Sequence, residues 1–129
     1  MASVTRAGRA RPTSGGLELA VWYLIRLTGL GLFVLALSHF LITHVVYDPV
    51  EQTGEWIVEE RWGSLLWRTV DWLMLSMVIF HSFMGVRTVL RDYTGGMLRA
   101  ALTMTLYLGG IVLFALGTMA VATMSGPVP

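Results

Sequence analysis

The sequence predicts an all-α integral membrane protein with three transmembrane helices, and three observations predict it. Apolar residues make up 55% of the 129 residues and charged ones only 13%, with a mean hydropathy of +0.68, too apolar for a water-soluble domain of this size. The apolar residues are gathered into three long runs. Between the runs lie charge and turn-forming residues, the punctuation expected where a helix leaves the bilayer.

The elements follow in order. Residues 1–18 form a polar N-terminal tail carrying Arg6, Arg9 and Arg11. The first helix is predicted over 19–46: no Asp, Glu, Lys or Arg occurs from Leu27 to Tyr47, and Asp48-Pro49 ends the run. It reads as a span rather than a cleaved signal peptide, because it is too long and carries Arg26. The second helix is predicted over 65–91, after Gly63-Ser64; it reaches the roughly 20 residues a span needs only if Arg68, Asp71 and Arg87 sit at the interfaces. Thr94-Gly95-Gly96 separates it from a third helix predicted over 99–124, which carries no charge after Arg99. Residues 125–129, opening with Ser125-Gly126-Pro127, form the C-terminal tail, and 19–124 make one membrane domain.

Orientation is read from the arginines. They cluster in the N-terminal tail and around the second turn, as Arg87, Arg91 and Arg99, whereas the first connection holds Asp48, Glu51, Glu55, Glu59 and Glu60 against Arg61 alone. The positive-inside rule then puts the N-terminus and the Arg87–Arg99 turn in the cytoplasm and the acidic connection outside. Trp56, Trp62 and Trp67 fall near the outer interface, where aromatic belts lie.

Composition removes several chemistries. With no cysteine, the chain offers no disulfide, thiolate metal site, iron–sulfur ligand or cysteine nucleophile. All nine basic residues are arginine, so lysine chemistry is absent, and a net charge of +1 gives no basis for nucleic-acid binding. No dinucleotide or flavin-attachment fingerprint occurs, so the chain offers no site of that kind. What remains is His39, His44 and His81, with eight methionines.

A histidine inside a span is costly unless it meets water, a partner or a cofactor. Gly85, Thr88 and Asp92 fall within about 40° of His81 on one helical face. A small residue one turn from an imidazole leaves room for a flat macrocycle, the arrangement of an axial haem ligand, although such a glycine serves helix packing equally well. Measured from Arg87, His81 lies about 9 Å deep; measured from Arg26, His39 lies about 20 Å deep, at about 1.5 Å per residue. Two levels that far apart suit two haems rather than one held between the two histidines, and each would need its second ligand from another chain. His44, about 140° round the helix from His39, suits an interfacial role.

These segments resemble a known family. "HSFMGVRTVLRDY" (81–93) is similar to the H-x3-G-x-R…D-Y signature of the cytochrome b anchor subunits of succinate dehydrogenase, respiratory complex II. "RLTGLGLFVLALSH" (26–39) is similar to the family's R-x-[ST]-G start with a histidine thirteen residues after the arginine. The resemblance covers about residues 18 to 124 and is closest to the D-type, three-helix subunits of actinobacterial, menaquinone-linked enzymes. It implies half of a two-subunit, haem-binding helical bundle in a bacterial plasma membrane. The implied partners are a second cytochrome b anchor subunit, an iron–sulfur subunit and a flavoprotein subunit, with complexes that can form trimers.

The resemblance further implies that His81, and in dihaem forms His39, ligate haem b, with Arg26 and Arg87 near the propionates, Gly85 under the ring and Thr28 at the family's hydroxyl position. It implies a menaquinone or ubiquinone site that includes Asp92 and Tyr93, although relatives with a quinone on the other side of the membrane would bring His44 closer to it. Two other readings compete: a cofactor-free structural or assembly membrane protein, and the anchor of a fumarate reductase, which shares this architecture.

Overall fold

The computed structural model describes residues 15–124. Within them the backbone forms three long helices, Leu17–Leu41, Leu65–Tyr93 and Gly96–Thr123, the first continued by a π-helical turn over Ile42–Val46. All three are long and apolar enough to cross a membrane, and the described residues contain no strand. The protein is a multi-pass, all-helical membrane protein, as the sequence predicts. Arg6, Arg9, Arg11 and residues 125–129 lie outside the described residues.

The helix ends differ from the expected ones by at most three residues. Hydropathy marks where lipid ends, whereas a helix continues until a residue leaves helical geometry. Thr94 is extended, at φ −127° and ψ 161°, and Gly96 stands at φ 54°, a left-handed conformation that glycine adopts without a Cβ clash. Arg91, Asp92 and Tyr93 are therefore the last turn of the second helix.

The second helix is central, packed against the first and the third, which scarcely touch each other. Its large side chains press on glycines of its neighbours. A Cβ on Gly110 would stand 3.0 Å from the Phe83 ring, one on Gly117 2.6 Å from Leu75, and one on Gly31 3.0 Å from the Met77 sulfur. Small residues at these crossings let the backbones approach, which is how helices associate where lipid is as apolar as leucine.

Polarity is distributed inside out. Among the described residues no large apolar side chain is fully buried, whereas Thr28, Thr43 and Arg61 are, at 8%, 6% and 6% exposed. Much apolar surface faces outward, and buried polar side chains add to the apolar contacts at the glycine crossings.

The connection between the first two helices is tied down at several points. Gln52 Nε2 donates to the Thr43 carbonyl, Asp48 Oδ1 accepts from Val50 N at 3.0 Å, and Thr53 Oγ1 accepts from Trp56 N at 3.2 Å. A second π-helical turn, Ile57–Arg61, follows. Gly63 closes it, since a Cβ there would collide with the Glu59 carbonyl oxygen. This closure directs the Arg61 side chain back into the bundle.

Candidate functional site

The two helix-interior histidines, on neighbouring helices, occupy different environments. His81, on the second helix, lies against the first helix at Gly29, where a Cβ would stand 3.1 Å from His81 Cε1. Its Nδ1 is 3.1 Å from the Ile25 carbonyl oxygen and 3.2 Å from Thr28 Oγ1. The proton positions follow from the partners. A carbonyl can only accept, and the single hydroxyl proton of Thr28 goes to the Leu24 carbonyl at 2.6 Å. Nδ1 therefore carries the proton and donates to both oxygens, and Nε2 carries the lone pair. Nε2 has no hydrogen-bond partner among the described residues. Gly85, one turn on, has nothing within 4 Å of where a Cβ would sit.

This is the geometry in which an imidazole serves as a metal ligand: the ring is oriented by a hydrogen bond at one nitrogen and the other is free to coordinate. The residues at His81 therefore fit a haem iron, with Gly85 as the open space beside the ligand. Thr28, expected from the resemblance at a cofactor or quinone hydroxyl position, stands behind His81 and fixes its ring.

His39, on the first helix, meets the connection. Arg61 Nη2 is 3.1 Å from His39 Nδ1, and a guanidinium has only donors, so this Nδ1 accepts and the proton lies on Nε2. Arg61 is also paired with Asp71, Nε to Oδ2 at 2.8 Å and Nη2 to Oδ1 at 2.6 Å. Trp62 Nε1 donates to Asp71 Oδ2 at 3.1 Å, and the Arg61 guanidinium lies 4.8 Å from the Trp67 ring centre. Asp71 Oδ1 is itself 3.7 Å from His39 Nδ1, with the Asp71 side chain 11% exposed. For His39 to coordinate through Nε2, its proton must move to Nδ1 and be donated to Asp71 while Arg61 gives way.

Sequence reading treats Arg61 only as the lone cation of an acidic connection and Asp71 as an interfacial residue. In the structure they form a bidentate internal ion pair, the type that combines strength with fixed geometry. Two of the expected belt tryptophans, Trp62 and Trp67, belong to this cluster. The third, Trp56, packs edge-on to Tyr47 at 5.1 Å. A charge of each sign ten residues apart across a Gly63-Ser64 break was the available signal.

Of the remaining predicted residues, all but His44 gather at the opposite end from Arg61. Arg26 lies over the Trp22 ring at 3.6 Å and donates to the Trp22 carbonyl at 3.0 Å. Arg87 and Arg91 both pair with Glu18 of the first helix, at 2.8 and 3.3 Å, a carboxylate that sequence reading passed over. Asp92 and Tyr93 are exposed in the last turn of the second helix, Tyr93 at 84%, about 16 Å along the helix from His81 at 1.5 Å per residue. His44 stacks on Phe40 with ring centres 4.5 Å apart, and its Nδ1 is 2.9 Å from Thr43 Oγ1 and 3.2 Å from the Phe40 carbonyl. Among the described residues, no group of three or more His, Cys, Asp or Glu side chains forms a metal-binding cluster.

Residues 4–124 match the family model described as succinate dehydrogenase/fumarate reductase transmembrane subunit. The chain is also similar to a protein of Archaeoglobus fulgidus named succinate dehydrogenase hydrophobic membrane anchor subunit. The two are 33% identical over 81 residues, which is 63% of this chain and 68% of the relative.

Proposed function

The chain belongs to the succinate dehydrogenase/fumarate reductase transmembrane subunit family, and from that premise we propose that it is a haem-b-binding, quinone-reactive anchor subunit that passes electrons from succinate oxidation in soluble subunits to a quinone. The observation that carries the proposal is His81, with Nδ1 donating to the Ile25 carbonyl at 3.1 Å and Nε2 left to coordinate. Held there by His81, with a histidine of a partner anchor subunit as the other ligand, haem b would supply outer-sphere electron transfer. His39 would be a ligand of the second haem of a dihaem form in this reading, with Asp71 as the acceptor its Nδ1 would need.

The chain's own residues then have separate tasks. Gly29 and Thr28 fix the His81 ring, and Gly85 keeps the space beside it clear. Arg26 and Arg87 neutralise propionates at the arginine-rich end. Reduction of a quinone takes up two electrons and two protons. Tyr93 donates its phenolic proton as a hydrogen bond to a quinone oxygen, and Asp92 orients the ring or relays protons to it. The quinone is menaquinone or ubiquinone. The assembly contains a second anchor subunit, an iron–sulfur subunit and a flavoprotein subunit, in a bacterial plasma membrane with the N-terminus in the cytoplasm, and it can extend to trimers of complexes. The chain holds no group that sets the working direction, so a fumarate reductase would use the same anchor.

The test is haem b per protomer in the purified complex, counted by the pyridine haemochrome method. Two haems support His81 and His39 as ligands at two depths. One haem leaves His81 as the ligand and returns His39 to the Arg61–Asp71 cluster. A colourless complex sinks the cofactor reading and leaves a structural anchor.

A further inference from the structure

A groove of about 540 Å³ runs between the second and third helices at the arginine-rich end, lined among others by Arg87, Arg91, Arg99, Thr103, Met104 and Tyr107. Arg87 apart, its lining residues play no part in the haem or quinone reading. Its polarity changes with depth. At the mouth stand three guanidiniums, of which Arg87 and Arg91 share the single carboxylate of Glu18, while Arg99 donates from Nε to the uncharged Thr94 carbonyl at 2.7 Å. Among the described residues, these three lining cations pair with one carboxylate, which leaves an excess of positive charge at the mouth. Further in, the third helix presents Thr103, Met104 and Tyr107. Tyr107 lies about 12 Å beyond Arg99 along the helix, at 1.5 Å per residue. Met104 is 69% exposed, an apolar side chain with room beside it.

We propose that this groove binds one anionic phospholipid, with its phosphate between Arg91 and Arg99 and an acyl chain running inward past Met104 and Tyr107. The excess of positive charge selects an anionic headgroup, and basic pockets between membrane helices have this chemistry. The apolar depth separates a lipid from an acidic protein segment. A peptide backbone reaching about 12 Å into hydrocarbon would carry unsatisfied amide groups, whereas an acyl chain has none. A free anion would use the mouth alone and gain nothing from the groove below it.

The experiment uses the intact, delipidated complex in detergent, titrated with dioleoyl phosphatidylglycerol or dioleoyl phosphatidylcholine, with bound lipid counted by native mass spectrometry. The wild-type complex retains the phosphatidylglycerol in preference to the phosphatidylcholine. Arg91→Gln/Arg99→Gln weakens phosphatidylglycerol retention roughly thirtyfold, given the attraction each arginine contributes near an anionic headgroup, and leaves phosphatidylcholine unchanged. Met104→Trp fills the apolar part without touching the charges and lowers phosphatidylglycerol retention too. Equal retention of the two lipids, or phosphatidylglycerol retention that neither variant changes, overturns the proposal. So does displacement by inorganic phosphate as effective as that by lipid, which would mark a free-anion site. Loss of a soluble subunit with lipid count unchanged would assign the arginines to a protein surface and overturn it as well. None of these readouts depends on haem content or succinate oxidation, so the outcome is independent of the functional reading above.

Discussion

His81 and His39 sit on adjacent helices, each turned toward polar groups of another segment, and each has its Nδ1 engaged. The difference is in what engages it. Neutral oxygens of the first helix draw the proton of His81 onto Nδ1, and the guanidinium of Arg61 drives the proton of His39 off it. One imidazole is left with a lone pair on Nε2 and the other with an Nε2–H donor. Residue type and depth, which are what a sequence provides, do not distinguish the two; the group hydrogen-bonded to Nδ1 does.

Several changes would break or sharpen that contrast, and the largest effect belongs to the ligand itself. His81→Ala is expected to remove one haem b per protomer from the purified complex, read as loss of its share of the Soret and pyridine haemochrome signals. An unchanged haem count would overturn the ligand assignment.

Next in size is the opposite cluster. Arg61→Ala leaves Asp71, 11% exposed, without its counter-charge, and uncovering one partner of a buried pair costs about 3–5 kcal/mol. The thermal midpoint of the complex should fall clearly, and Arg61→Ala/Asp71→Ala should recover much of the loss, because no lone charge then remains. If the double variant is no better than the single, the cost lies in packing around Trp62 and Trp67 rather than in the charge.

A third comparison uses two glycines near His81. At Gly29 a methyl group would stand 3.1 Å from the imidazole, so Gly29→Ala forces the ring to shift, with a cost of about 1–3 kcal/mol from overpacking. At Gly85 a methyl group meets nothing within 4 Å, so Gly85→Ala leaves helix packing as it is. Its expected effect appears only in haem retention, measured by absorbance during detergent dialysis. Equal thermal loss for the two variants would mean that Gly85 faces a packed surface after all.

The smallest effect is at the arginine-rich end. Glu18 is about half exposed in its pairs with Arg87 and Arg91, and such pairs contribute at most about 1 kcal/mol. Glu18→Gln should shift the thermal midpoint slightly, and less still at high salt.

Much of this was legible in the chain. The three spans follow from hydropathy, because lipid selects on composition alone, and their true ends differ by a few residues because Thr94 and Gly96 stop the backbone where no charge does. His81 with Gly85 was legible because both lie on one helix, where spacing fixes direction. The Arg61–Asp71 pair was not, because its geometry depends on a π-helical turn and on Gly63 folding the connection back over the bundle. Thr28 was visible as a hydroxyl, but its function behind His81 depends on the crossing of two helices, which no spacing within one helix reveals. Glu18 was passed over for the same reason, since both its partners lie on the second helix.

The inside-out distribution of polarity has a consequence for how the protein comes into being. In water an unpaired subunit with so much outward-facing apolar surface would aggregate, and loss of its partner would be corrected by precipitation. In a bilayer the same surface is already in its preferred solvent, so the unpartnered chain meets little penalty for waiting. Insertion and assembly are thereby separated in time. The membrane can hold a standing reserve of single subunits, and the amount of finished complex is set by the arrival of the missing pieces rather than by the solubility of this one.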